Sequence, residues 1–294
     1  RGVSSQVSGL IFSISESFIY LCVIKQTAME TSTLKIAVIG AGNMGGAIAR
    51  GIASGSFSFA TDVRVSDISE QNLEALKAFS PAIETTTSNV EVIKNADIIL
   101  LAVKPWLVEK VTDEIRGKIN YKKQMVVSVA AGIDINTLSF QLDEDATLFR
   151  VIPNTAIDVK QSVSIISAYQ ATEAQLAVIS EIFGGLGKVF IVPEQQLAAY
   201  LSLSSCGIAY AFRYIRAAME GGVEMGIPAQ TAKEVVIQTL RGAIELLEKN
   251  NTHPEVEVDK VTTPGGITIK GLNEMEANGF TNAVIKGLKA SHIK

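Results

Sequence analysis

The sequence predicts an α/β domain followed by an all-α domain, and three observations carry that reading. Lys35–Ile52, KIAVIGAGNMGGAIARGI, passes from a short β-branched run through a glycine pattern into a helical one. Apolar strand patterns then alternate with helical patterns as far as Val192. From Pro193 onward every apolar repeat is helical and none reads as a strand.

Ile36–Ile39 suits a strand buried on both faces. Gly40, Gly42 and Gly45 complete a G-x-G-x-x-G, and Met44, Ala47, Ile48 and Ile52 make one helical face. Strand, tight turn and helix are the context that makes such glycines a dinucleotide site of Rossmann type. Gly40 allows the turn, Gly42 lets a pyrophosphate approach, and Gly45 lets the helix lie close to the sheet. The helix start then offers its free N–H groups to the diphosphate. An ordinary βα turn with chance glycines is the plain alternative.

Asp62–Asp67 reads as the second strand. Asp67 at its end either accepts hydrogen bonds from an adenosine ribose, which disfavours a 2′-phosphate, or caps the helix Glu70–Phe79 together with Ser69. Arg64, Lys77, Ser66 and Ser69 are the nearby groups able to hold such a phosphate. Val90–Asn95 reads as a short helix, Ala96–Val103 as a continuous buried strand and Val108–Ile119 as a helix. Met125–Val129 and Thr147–Ile152 are further strands. Val163–Ala168, helix Glu173–Phe183 and Lys188–Val192 close the sheet. Ligands bind beyond the carboxyl ends of such strands, which places Ala102–Pro105 over the nicotinamide half of a cofactor. Lys104 is there either as a surface charge or as part of the site. Small residues at Ala130-Ala131-Gly132 let a flat ring approach.

In the second half, Glu194–Met225 reads as one long helix, kinked around Ser204–Gly207 and stopped by Gly226. Pro228 opens the amphipathic Ala229–Lys249, and Asn250–Pro254 is a turn. Asp259–Lys270 reads as a polar loop entering a helix near Gly265, with two short helices to follow. Within it Val261–Ile269, VTTPGGITI, is either an anion nest of backbone N–H groups or a plain helix start with Thr263 as cap and Pro264 in the first position. A helical half this apolar cannot bury every face alone, which predicts packing against a second copy. The resulting division is residues 1–33 as an appendage outside the fold, 34–192 as the dinucleotide domain and 193–294 as the helical domain.

Composition sets outer limits. The chain has 294 residues, 47% of them hydrophobic, enough for two cores and against global disorder. Net charge is −4 without a basic block, which argues against a nucleic-acid partner. Cys22 and Cys206 make no disulfide framework and suit the cytoplasm. With only His253 and His292, no metal centre is expected. Leu10–Ile24 is apolar but shorter than the roughly 20 residues that cross a bilayer, so no membrane partner is expected. It also lacks the flanks of a signal peptide. Residues 1–28 read as an appendage before Met29, with a weak membrane-associating segment as the alternative.

The segments GAGNMGGAIARG, LAVKPW, SVAAGI, FRVIPNTA, CGIAYAF, GGVEMGIP and VTTPGGITIKGL occur in this order from about Lys35 to Ser291. Together they resemble the Δ1-pyrroline-5-carboxylate reductases. The resemblance implies a Rossmann domain and a helical domain interlocked with a partner subunit, as a homodimer or a higher homo-oligomer. It implies hydride transfer from NADPH or NADH to the C=N carbon of a cyclic imine, giving L-proline. It places the substrate carboxylate at Thr262, Thr263, Gly265, Gly266 and Thr268, partly from the neighbouring subunit. On the cofactor side it points to Gly40, Asn43, Met44, Asn89, Ala102, Val103, Lys104, Pro105, Ala130, Ala131 and Gly132, beside Gly42, Gly45 and Asp67 from the fingerprint. A protonated imine is already electrophilic, so positioning against the nicotinamide suffices and no acid is required.

The chain departs from the family pattern at several places. Ser205-Cys206-Gly207-Ile208-Ala209-Tyr210 stands where GSGPAY is usual, and Cys206 reads as a small buried residue. Leu201 replaces a threonine sometimes assigned as proton donor, leaving Ser202, Ser204 or a water. Ala156 and Ser162 replace a proline and a glycine. The rival functions are a β-hydroxyacid dehydrogenase, another cyclic-imine reductase and a non-catalytic NAD(P)-binding regulator. The first needs a lysine where this chain has Ala211.

Overall fold

The computed structural model describes residues 33–292. The apolar segment Leu10–Ile24 and the proposed start at Met29 lie outside the described residues. Eight strands form one sheet in the order β3-β2-β1-β4-β5-β6-β7-β8. They are β1 (Leu34–Ile39), β2 (Thr61–Ser66), β3 (Glu84–Thr86), β4 (Ile98–Leu101), β5 (Met125–Ser128), β6 (Leu148–Ile152), β7 (Ser162–Tyr169) and β8 (Gly187–Ile191). All neighbours are parallel except β6 and β7. The reversal follows from the short connection 153–161, which holds a 3-10 turn, Thr155–Val159, and no crossover helix.

The central strands read as continuous apolar runs because both faces are covered. Ile36, Val38, Ile98 and Leu100 pack against one layer of helices, and Ala37, Ile39, Ile99 and Leu101 against the other. The covering helices are α1 (Asn43–Ala53), α2 (Glu70–Phe79), α3 (Asn89–Val92), α4 (Val108–Ile115), α5 (Ile135–Gln141) and α6 (Glu173–Gly184). The order of strands reverses at β1, between β2 and β4, and this switch point is where an open α/β sheet binds its ligand.

The helical half comprises α7 (Leu197–Leu201), a π-helical turn Ser202–Cys206, α8 (Gly207–Glu224), α9 (Ala229–Asn250), α10 (Pro254–Val261), α11 (Ile267–Ala277) and α12 (Phe280–Ala290). The kink expected around Ser204–Gly207 is thus a widened turn in an otherwise continuous rod. Gly226, with φ +90°, ends α8, where Ile227 N–H donates to Gly222 O and Gly226 N–H to Val223 O. No helix among the described residues is long and apolar enough to cross a membrane.

Several boundaries differ from the sequence reading. The second strand ends at Ser66, leaving Asp67 beyond the ladder. β3 and α5 are additional, and both are short. The expected turn and loop at 250–261 contain α10, which starts at Pro254 with His253 Nδ1 accepting the Glu255 N–H. Its residues PEVEVDKV carry no apolar stripe, which hid the helix from periodicity.

Candidate active site

A cleft of about 910 Å³ opens at the switch point. The glycine turn forms its floor. Gly40 has φ +104°, and a Cβ there would lie 2.7 Å from Ala102 O. A Cβ on Gly45 would lie 1.9 Å from Gly40 O and 2.8 Å from Ala102 Cβ, so this glycine sets how closely α1 approaches β4. Gly42 faces open space instead. Gly42 is the N-cap of α1, which has no side-chain cap and no acidic residue in its first turn. Its leading N–H groups therefore point unsatisfied toward the cleft, a cradle that fits a diphosphate.

Of the residues anticipated at the cofactor, Gly40, Gly42, Asn43, Met44, Asp67, Asn89, Ala102, Val103, Lys104, Pro105, Ala130 and Ala131 line this one cleft. Gly45 sits behind its wall, and Gly132, with φ +80°, lies past its edge. Asp67 does not cap α2. That role belongs to Ser69, whose hydroxyl accepts the Asn72 N–H at 3.4 Å. Asp67 accepts the Ser69 N–H at 2.7 Å and the Ala41 N–H at 2.5 Å, tying the end of β2 to the glycine turn. Arg50, Lys110, Glu114 and Asp158 also line the cleft and escaped the sequence reading. They sit on helices and a 3-10 turn, where a charge at the solvent edge carries no distinguishing pattern.

Behind the Ala130–Gly132 loop a polar junction fixes the start of α5. Asp134 accepts the Thr137 N–H at 2.7 Å. Hydrogen bonds from the Thr137 side chain and N–H hold the Asp134 carboxyl below the usual carboxylate range. Glu194, just past the boundary with the helical half, accepts the Ile135 N–H at 2.7 Å and an Arg150 Nη1–H at 3.1 Å.

The 262–268 loop lies in the helical half. Thr263-Pro264-Gly265-Gly266 is a tight turn closed by Gly266 N–H donating to Thr263 O at 3.0 Å, with φ +72° at Gly265. The N-cap of α11 is Gly266, not Thr263, and no side chain caps it. Thr263 and Thr268 are exposed, whereas Thr262 donates its hydroxyl to Val258 O at 2.7 Å. None of these residues lines the dinucleotide cleft of the same chain. The serines of the π turn are also committed. Ser202 donates to Ala198 O and Ser204 to Tyr200 O, at 3.0 and 2.8 Å. Cys206 is half-buried rather than buried.

A switch-point cleft with an uncapped, glycine-floored helix start, joined to an all-helical second half, defines a nicotinamide-dinucleotide oxidoreductase of the Rossmann class. Residues 194–294 match the family model for pyrroline-5-carboxylate reductase dimerisation, and residues 35–132 match that for NADP oxidoreductase, coenzyme F420-dependent. The chain belongs to the pyrroline-5-carboxylate reductase family. It is 36% identical to the Arabidopsis thaliana pyrroline-5-carboxylate reductase over 90% of this chain and 96% of that one. It is also 36% identical to pyrroline-5-carboxylate reductase 1 of Dictyostelium discoideum, over 88% of this chain but 49% of that longer protein. Among solved structures it resembles a Plasmodium falciparum pyrroline carboxylate reductase with NADP bound, at 25% identity and TM-score 0.80, covering 89% of this chain and 97% of that one.

Proposed function

We infer that this chain reduces Δ1-pyrroline-5-carboxylate to L-proline with a hydride from NADPH or NADH, the last step of proline biosynthesis. The observation that carries the substrate assignment is the Thr263–Gly266 turn leading into the uncapped start of α11. It offers main-chain donors for a small carboxylate in a chain whose other half holds a dinucleotide cleft.

When bound, the dinucleotide supplies the hydride. The chain's own residues position the partners. Asn43 and Met44 present the α1 N–H groups to the diphosphate, and Asp67 and Asn89 stand at the adenosine end. Ala102, Val103, Pro105, Ala130 and Ala131 give the nicotinamide end small or apolar walls, and Lys104 stands among them as an exposed charge. Thr263, Gly265, Gly266 and Thr268 hold the imine's carboxylate. They do so across a subunit boundary, because they are absent from their own chain's cleft. The proton for the product nitrogen comes from the substrate iminium or from water, since Ser202 and Ser204 have spent theirs on the helix. The partners in this reading are a small imino acid and a second copy of the chain, in the cytoplasm, rather than nucleic acid or a membrane.

Steady-state kinetics with Δ1-pyrroline-5-carboxylate and each reduced nicotinamide test the reading. Proline formation is expected. Oxidation of 3-hydroxyacids without any imine reduction would overturn it.

A further inference from the structure

We propose that the adenosine end of the cleft is built to read an unmodified ribose, with Asp67 as the specificity-determining residue, so that this chain prefers NADH to NADPH. The proposal deepens the reductase reading only in the choice between its two cofactors.

The first support is the fixed carboxylate. Each Asp67 oxygen accepts one backbone N–H, from Ala41 at 2.5 Å and from Ser69 at 2.7 Å. A carboxylate has about four lone-pair sites, so each oxygen keeps capacity for one hydroxyl of a ribose diol. The second is Asn89. Its Oδ1 accepts the Ser66 hydroxyl at 2.8 Å, and its amide donates one N–H to Glu114 at 2.9 Å. That anchoring leaves its second N–H as a donor beside Asp67's acceptors.

The third support is charge. A 2′-phosphate needs cations, but Lys77 lies in the last turn of α2, away from Asp67 before its first, and Arg64 is already paired. Arg64 on β2 pairs with Asp62 at 3.3 Å and with Glu84 at 3.1 Å. Arg50 pairs with Asp158 at 2.6 Å. Ser66 donates its hydroxyl to Asn89, and the Ser69 hydroxyl oxygen accepts the Asn72 N–H at the α2 cap. Lys104 enters the cleft from the segment after β4, which lies across β1 from β2, and Lys110 sits one turn before Glu114 on α4, so the two opposite charges offset. A 2′-phosphate at this end would therefore face Asp67, with Glu70 in the first turn of α2 adding to the negative field. A solved relative carries NADP, so the inference concerns these side chains and not the family.

Dissociation constants of NADH and NADPH for the full chain, measured by nucleotide fluorescence without any imine, provide the test. NADH is expected to bind at least about fivefold more tightly, a floor set by like-charge repulsion of about 1 kcal/mol at contact distance. Asp67→Asn and Asp67→Ser should narrow the ratio, chiefly by improving NADPH. Equal or tighter binding of NADPH to the parent chain would overturn the proposal, and needs no variant to fold. So would an NADPH preference that disappears in Lys110→Ala, which would place the phosphate on α4. Because binding is read without substrate, failure here is distinct from failure to reduce the imine.

Discussion

Gly42 and Gly45 share one turn and answer to different neighbours. Alanine at Gly45 drives a Cβ into Gly40 O and Ala102 Cβ, both held by the sheet. Overpacking of this kind costs typically about 1–3 kcal/mol, so Gly45→Ala is expected to lower the midpoint of thermal unfolding measurably. Alanine at Gly42 meets nothing in the protein. Gly42→Ala should leave that midpoint within a degree or two while weakening dinucleotide binding, as read by calorimetry and titration together. At the opposite end of the chemistry, Thr263→Ala removes an exposed hydroxyl beside the α11 start. A hydrogen bond to a charged group is worth about 1.5–3 kcal/mol, so the imine KM should rise about tenfold or more while the cofactor KM stays near its parent value. Parallel rises in both would argue against the carboxylate role.

At the scale of the element, α5 shows how a short helix is secured and how it can be missed. It buries only Ile135 and Leu138, too little to register as a period, yet Asp134 caps it and Glu194 meets its first N–H. Asp134→Ala should cost about 1 kcal/mol in urea unfolding at neutral pH. The Asp134 pKa is lowered in the folded chain, so its contribution is complete above the ordinary carboxylate value, about 3.9, and fades as pH falls through the lower folded one. The gap between parent and variant should therefore close on acidification below about pH 4, and a gap that widens there would refute the assignment. The same contrast explains what the sequence disclosed. β1, β4 and β5 were legible because burial on both faces leaves unbroken apolar runs. α10 was not, because its stability comes from Pro254, the His253 cap and Glu257. Hydrogen bonds from Lys260 and Thr252 hold that last carboxyl down to about 2. At the site, the glycine turn was legible through its spacing. The partners of Asp67 were not, since Ala41 and Ser69 contribute only their main chain.

For the whole molecule, the decisive contrast is in burial. The sheet half encloses its core, whereas α8 buries only Gly222 and α9 only Ala232 within one chain. Phe212 is 60% exposed and Ile244 57%. Apolar surface on this scale marks an interaction face, in keeping with the dimerisation family that this half matches. The double variant Phe212→Glu, Ile244→Glu should sediment as a monomer, lose imine reduction and still bind dinucleotide, because its sheet half is complete in one chain. A fully active monomer would show that the 262–268 loop serves its own cleft. The π turn at Ser202–Cys206 bears on this arrangement. With about 3.6 residues per helical turn, one residue more or fewer rotates everything downstream by about 100°. Excising a single residue from that turn would leave both halves chemically intact but swing α8 by a quarter-circle, presenting the wrong flank to the sister chain. The widened turn thus acts as the phase setting between the sheet half and the helical half.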